Sequence, residues 1–299
     1  MKILALDVGG TAIKSAFVAE DGSLSAYTTT PSAPNPPEKL TQAAIAVANT
    51  YDDYDVLAVA MTGQINHHRQ ITLARSNGQS YERAQFPVGQ ILREATGKPV
   101  FVLNDANAAA YGDACLGAGR DFKDFVCLTY GTGVGGGIIQ NRQLFSGHRG
   151  IAGELGHMVV HAGGLRCRCG HLGCYQEYAS TTALLREARQ VCPELQNARQ
   201  LFDRLPQVPA LRPIVDSWIR EIAEGLCSLA YILDPPCFVL GGGVMERPDI
   251  LEQVRQQFQN RVIPSFSDIE IRKAQLGNQA GIIGAASFAR HELKKQGGI

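Results

Sequence analysis

The sequence predicts an α/β protein built from two related domains. Apolar β-type runs alternate with helical stretches along 299 residues, a length that suits two moderate domains or one large one. A pattern of strand, glycine-rich turn and returning strand occurs twice, around Asp7-Val8-Gly9-Gly10-Thr11 and around Gly131-Thr132-Gly133-Val134-Gly135-Gly136-Gly137. The apolar fraction of 45% supplies a sizeable core. Lys and Arg number 28 against 28 Asp and Glu, and nothing in this balance points to a basic nucleic-acid groove or a surface for anionic lipid. No apolar run approaches a membrane span.

Taken in order, residues 2–6 are an apolar strand and residues 13–19 resume strand character. Asp21-Gly22 marks a hairpin turn before a third strand at 24–29, so the chain opens as an antiparallel meander. Residues 31–37 hold four prolines in seven positions and form a loop. A helix then starts at Pro36-Pro37-Glu38 and runs to about Tyr51. Residues 56–61 read as a buried strand. The polar segment 66–83 lacks clean periodicity and reads as a loop with a short strand near 70–73. His67-His68 within it is a solvated loop pair, with a role in a substrate loop as the alternative. A helix at 86–96 and a strand at 99–103 follow, and the strand delivers Asn104-Asp105 at its carboxyl end. Residues 106–116 form an alanine-rich helix, and 117–119 form a hinge. The two domains are accordingly 1–117 with a C-terminal helix at about 279–299, and 118–278.

In the second domain, strands at 125–130, 138–140 and 143–145 surround the glycine turn 131–137. Helices are expected at 181–191, 197–204, 211–233, 248–262 and 278–291, strands at 237–240 and 269–273, and a frayed polar tail.

His157, Cys167, Cys169 and Cys174 lie within eighteen residues. Thiolate and imidazole are zinc ligands, and closely spaced cysteines wrap such an ion. Four protein ligands close a tetrahedral shell, so the zinc is structural. His161 and His171 compete for the histidine position. Glu154 and Glu177 bracket the cluster, and the i, i+3 spacing of Glu154 and His157 places them side by side on a helical turn. The other five of the eight cysteines read as buried apolar residues in a reducing, cytoplasmic protein without a secretory leader.

Glycine-rich turns let backbone N–H groups approach an oxyanion, and two of them point to phosphate. Gly131-x-Gly133-x-x-Gly136 also matches a dinucleotide pattern, with Glu154 about 20 residues on, but that pattern needs a following helix. Here Ile138-Ile139-Gln140 reads as a strand. Asp105 is either a helix N-cap or a carboxylate at a strand's carboxyl end, placed to take a hydroxyl proton.

These motifs together resemble the ROK family of repressors, open reading frames and kinases, within the actin-like ATPase and sugar-kinase superfamily. The likeness covers essentially the whole chain. It rests on residues 4–11 and 128–137 as phosphate motifs, 239–243 as the adenosine motif, and Gly153-Glu154-Leu155-Gly156-His157 with Cys167-x-Cys169-Gly170-x-x-Gly173-Cys174-x-x-Glu177 as the signature. The resemblance implies two ribonuclease-H-like α/β domains around a cleft, with a zinc-braced loop. It also implies ATP-dependent phosphorylation of a hexose at its 6-hydroxyl, glucose or N-acetylmannosamine, with Mg2+ accompanying ATP.

Asp105 matches the general base. Gly63, Asn104, Glu154, His157 and Glu177, with Asp105, match the sugar site. Asp7 matches the carboxylate that orients magnesium. Gly9, Gly10, Thr11, Lys14, Gly131, Thr132, Gly133, Gly135 and Gly242 match the ATP-binding positions. Glu154 is the glucokinase-like form of its block, whereas Thr62-Gly63-Gln64 lacks the Pro-Gly of many glucokinases. Family members commonly form homodimers. The alternative is a sugar-sensing transcriptional regulator of the same family without catalysis. A DNA-binding module ahead of residue 4 is not expected, and the neutral charge argues against DNA.

Overall fold

A computed structural model describes residues 1–32, 36–76 and 81–297. The chain divides into two compact units. One comprises Met1–Lys123, Gly137–Gly153 and Gln275–Ile299, the other Asp124–Gly136 and Glu154–Ala274.

The first sheet opens with β1 (Ile3–Val8), β2 (Ala12–Val18) and β3 (Leu24–Pro31), followed by helix α1 (Pro37–Ala48) and β4 (Val56–Met61). After a small sheet come α2 (Val88–Thr96), β8 (Val100–Asn104) and α3 (Asp105–Leu116). The strand order is β3-β2-β1-β4-β8. The opening meander is antiparallel, as its turn chemistry predicts, and β1, β4 and β8 run parallel. Every residue of β4 is buried, which is why Val-Leu-Ala-Val-Ala-Met reads as an unbroken apolar run: a central parallel strand is covered on both faces. At the edge, β3 is exposed along nearly its whole length and ends in Pro31, where a missing N–H costs nothing to the ladder. Helix α9 (Ala280–Lys295) packs on α3 through small residues. A Cβ on Gly284 would lie 1.7 Å from Ala108 O, and one on Gly112 2.8 Å from Ala280 O.

The second sheet contains β9 (Phe125–Tyr130), β10 (Val134–Gln140), β11 (Gln143–Leu144), β12 (Cys237–Gly241) and β13 (Glu270–Lys273). Its order is β11-β10-β9-β12-β13, the same succession of hairpin, central strand and two further strands. Its helices are α4 (Gln176–Ala179), α5 (Thr181–Val191), α6 (Ala198–Arg204), α7 (Arg212–Leu233) and α8 (Pro248–Gln259).

Several details depart from expectation. The 66–83 segment is a three-stranded antiparallel sheet, β5 (Ile65–Asn66), β6 (Ile71–Ser76) and β7 (Tyr81–Phe86). Only the start of β6 carries an apolar alternation, Ile71 and Leu73, where the short strand is expected, and β7 interrupts its apolar residues with Glu82, Arg83 and Gln85; residues 77–80 lie outside the described set. The glycine turn is shorter than expected, because β10 already begins at Val134 and takes in Gly135, Gly136 and Gly137. Two of these glycines serve packing. A Cβ on Gly136 would lie 2.7 Å from Leu155 Cδ1, and one on Gly137 2.5 Å from Ala110 Cβ. Helix α2 starts two residues late, since Phe86 ends β7 and Pro87 precedes the first turn. The tail expected to fray instead continues α9 to Lys295.

Residues 117–119 are tied down rather than loose. Gly117 and Gly119 donate to Asp113 O at 3.2 and 3.0 Å, and Ala118 N–H donates to Asp113 Oδ1 at 3.1 Å. Residues 118–123 accordingly group with the first unit.

Candidate active site and metal centre

In the first unit, β1 and β2 pair Asp7 with Lys14 in register. Lys14 Nζ lies 2.9 Å from Asp7 Oδ2 and also donates to Asn278 O at 3.2 Å. The start of α9 crowds the same carboxylate, since a Cβ on Gly281 would lie 3.0 Å from Asp7 Cγ. An acidic group there is favoured by the helix N-terminus. Gly9, Gly10 and Thr11 make the turn, closed by Gly9 N–H donating to Ala12 O at 3.1 Å. No heavy atom would come within 4 Å of a Cβ on Gly10, so its backbone stands open.

Strand β8 ends at Asn104, and the N-cap of α3 is Asn104, not Asp105. Asn104 Oδ1 accepts from Asn107 N–H at 3.0 Å, which releases Asp105 from capping. Asn104 Nδ2 donates to Asp105 Oδ1 at 3.0 Å and to Gly63 O at 2.9 Å. Ala106 N–H donates to the same Oδ1 at 2.9 Å. Burial pushes the Asp105 carboxyl above its usual range, and the Asp7 carboxylate adds to this against the Ala106 and Asn104 bonds. Gly63 has φ +110, a conformation that favours glycine.

His67 corrects an expectation. It is buried rather than solvated, with Nε2 3.1 Å from Ser146 Oγ and its ring against Phe288. His68 alone of the pair is exposed. Cys115 is the other correction: it is exposed on α3, whereas Cys127, Cys192, Cys227 and Cys237 are buried.

In the second unit the turn after β9 is drawn together by Gly131 N–H donating to Gly133 O at 3.0 Å. Thr181 at the start of α5 fixes it from outside: its N–H donates to Gly131 O at 2.9 Å and its Oγ1 to Tyr130 O at 3.2 Å. Gly242 has φ +98, and a Cβ there would lie 2.2 Å from Tyr130 O, so the strand-end backbones of β9 and β12 touch. Beside this turn lies a cavity of about 650 Å³ whose lining includes Thr132, Asn197, Phe202, Gly243 and Arg247. The Arg247 guanidinium stacks over the Phe202 ring at 4.7 Å. Sequence reasoning missed Asn197, Phe202 and Arg247; Arg247 follows the Gly241-Gly242-Gly243 run so closely that its place there was a usable signal.

His157, Cys167, Cys169 and Cys174 converge, with one ligand atom from each lying within 4.8 Å of the others. Cys167 Sγ is 3.7 Å from His157 Nδ1, and Cys169 Sγ is 3.4 Å from Cys174 Sγ. A zinc tetrahedron, with bonds of about 2.3 Å to sulfur and 2.0 Å to nitrogen, separates its ligands by roughly 3.5–3.8 Å. The donor set fits zinc in both chemistry and spacing. His161 is engaged elsewhere, its Nε2 2.8 Å from Glu221 Oε2, and His171 stands outside the cluster.

A single 3-10 turn, Leu155–His157, brings His157 Nε2 to 3.9 Å from Glu154 Oε2, so the two ring nitrogens of His157 face different partners. Burial lowers the His157 pKa, partly offset by Glu177, which keeps the imidazole in the neutral form a metal requires. Glu177 Oε2 lies 3.8 Å from Arg186. Gly156 is required here, since a Cβ would lie 2.1 Å from Val134 O.

A profile of the ROK family matches residues 3–292. The chain belongs to the ROK family. Among ROK relatives, a glucokinase from Streptomyces coelicolor is 34% identical, covering 96% of this chain and 97% of its own. An N-acetylmannosamine kinase from Haemophilus influenzae is 33% identical, covering 98% and 97%. The crystal structure of a ROK glucokinase from Streptomyces griseus in complex with glucose and AMPPNP superposes with a TM-score of 0.85 at 30% identity, covering 97% of this chain and all of that one. The fold is therefore the ROK version of the actin-like ATPase fold. No helix among the described residues is long and apolar enough to cross a membrane.

Proposed function

We propose that the chain is an ATP-dependent hexose kinase that phosphorylates the 6-hydroxyl of glucose or N-acetylmannosamine. The observation that carries this reading is Asp105. Its carboxyl is half-buried, sits at the carboxyl end of a parallel strand and is released from capping by Asn104. Asn104 and Ala106 both donate to its Oδ1. Such a group accepts the hydroxyl proton as the oxygen attacks phosphorus, and its raised pKa improves it as a base.

In this reading the ATP site comprises Gly9, Gly10, Thr11, Lys14, Gly131, Thr132, Gly133, Gly135 and Gly242, with the nucleoside in the cavity beside Arg247. Asp7 orients the magnesium that accompanies ATP and offsets phosphate charge. Gly63, Asn104, Glu154, His157 and Glu177 bind sugar hydroxyls; carboxylates accept such bonds more strongly than neutral groups do. Zinc on His157 Nδ1 and the three thiolates would leave Nε2–H for a hydroxyl. The glucose and AMPPNP bound to the Streptomyces griseus relative support this assignment.

The test is ADP release in the presence of Mg-ATP across glucose, N-acetylmannosamine, N-acetylglucosamine, mannose, allose and fructose. Turnover of glucose or N-acetylmannosamine with a 6-phosphate product is expected. Failure with every sugar, or full turnover by Asp105→Asn, would overturn the reading.

A further inference from the structure

The metal cluster and the glycine turn after β9 share one side chain. Gln176, the first residue of α4, donates from Nε2 to Cys167 Sγ at 3.2 Å. The other end of the same amide lies beside the turn, where a Cβ added to Gly133 would come within 2.8 Å of Gln176 Oε1. An amide has a fixed distance between its oxygen and its nitrogen, so its two ends cannot move independently. From Gln176 Nε2 it is also 3.5 Å to Glu177 Oε1. The backbone beneath it is held by other means. Trp218 Nε1 donates to Ala179 O and Ser180 O at 2.9 and 3.1 Å, and Thr181 N–H donates to Gly131 O. The side chain is thus a strut between two sites on a backbone that does not need it to fold.

We propose that Gln176 is a positioning residue that couples metal occupancy to nucleotide affinity. A cation at the cluster would hold Cys167 Sγ in one place, and that sulfur is the acceptor of the Gln176 amide N–H. The amide orientation that results seats Oε1 against Gly133 and holds the Gly131–Gly133 turn in one shape. A preformed turn does not have to be ordered when phosphate arrives. Metal therefore strengthens nucleotide binding, and by linkage nucleotide strengthens metal binding by the same factor. This rests on the kinase reading of the turn, and it goes beyond a metal that steadies only the carboxylate-bearing loop.

The experiment measures AMP-PNP affinity by calorimetry, without turnover, for zinc-loaded and chelator-stripped protein. In parallel, zinc affinity is measured by competition with a chromogenic chelator, with and without saturating AMP-PNP. In the wild type both ratios should agree, at roughly fivefold or more. In Gln176→Met, which keeps the length and loses both polar ends, both should fall towards one, with the zinc-loaded protein folded as judged by thermal melting. Should stripping unfold the wild type, the difference between wild type and Gln176→Met in the AMP-PNP dependence of zinc affinity decides, because the contribution from unfolding is common to both. Equal zinc affinity with and without AMP-PNP, or a ratio unchanged in Gln176→Met, would overturn the coupling while leaving the kinase reading intact. A loaded wild type that does not bind AMP-PNP at all would remove the nucleotide reading and the coupling with it.

Discussion

Asn104 caps helix α3 with its oxygen and holds Asp105 with its nitrogen, 3.0 Å from Asp105 Oδ1. One amide thus ends a strand, starts a helix and aims the carboxylate between them. Asp105→Asn preserves that shape and, on the kinase reading, removes the proposed base. Loss of a positioned base costs roughly 10²- to 10⁴-fold in kcat. Stability should move the other way. Burial raises the folded pKa of Asp105 above 3.8, so its ionisation disfavours the fold as pH rises past that value. The variant should melt at the same temperature as wild type or higher at pH 7. A melting temperature well below wild type would show that the carboxylate is a net structural support.

Asn104→Ala separates positioning from chemistry. Loss of the cap costs about 1 kcal/mol of stability, visible in urea unfolding. Asp105 would keep its Ala106 bond but lose its lateral hold, so kcat should fall while ATP affinity holds. Unchanged kcat would mean that Ala106 alone sets the carboxylate.

His67 makes acid a structural stress. Burial, with His68 and Lys295 acting in the same sense and Glu292 against, lowers its pKa from 6.5 to about 4. The neutral ring is favoured by folding, so this contribution is complete above pH 6.5 and is lost as pH falls towards 4. Between pH 8 and pH 5 the wild type should lose about 2 kcal/mol more than His67→Gln. Parallel urea curves for the two proteins at both pH values would contradict this.

One zinc per chain is expected by elemental analysis, and about none in Cys174→Ser. Zinc removal should raise the KM for sugar, because the segment between His157 and Cys174 loses its anchor, and added magnesium should not restore it. A demonstrably zinc-free protein with wild-type sugar affinity would contradict the brace.

Gly242→Ala tests the backbone crossing between β9 and β12. The residue combines φ +98 with a 2.2 Å approach to Tyr130 O. Backbone cannot yield as a flexible side chain does, so a loss of more than about 2 kcal/mol is expected, with a rise in ATP KM. A wild-type melting temperature would sink this.

What could be read from the residues follows the strength of their local signals. The strand of Val56–Met61, the Asp21-Gly22 turn and the cysteine spacing are short-range patterns with one physical solution each, and the structure reproduces them. Of the sheet of β5, β6 and β7 only the start of β6 was legible, as the short strand near 70–73; β7 mixes charged residues into its run and shows no apolar alternation. His67 looked solvated beside His68, since nothing local records that Ser146, far along the chain, would cover it. Gln176 was invisible for a similar reason: a glutamine between a tyrosine and a glutamate has no pattern until Cys167 and Gly133 are brought to either side of it.

The matching strand orders of the two sheets make their positions comparable. Each runs from a hairpin through a central strand to two more. The penultimate residues of β1 and β9 then occupy equivalent places: Asp7 in one sheet, Thr129 in the other. One architecture thus presents different chemistry in each unit, an acidic group at the strand end of the first and a hydroxyl at that of the second, where Arg247 stacks on Phe202.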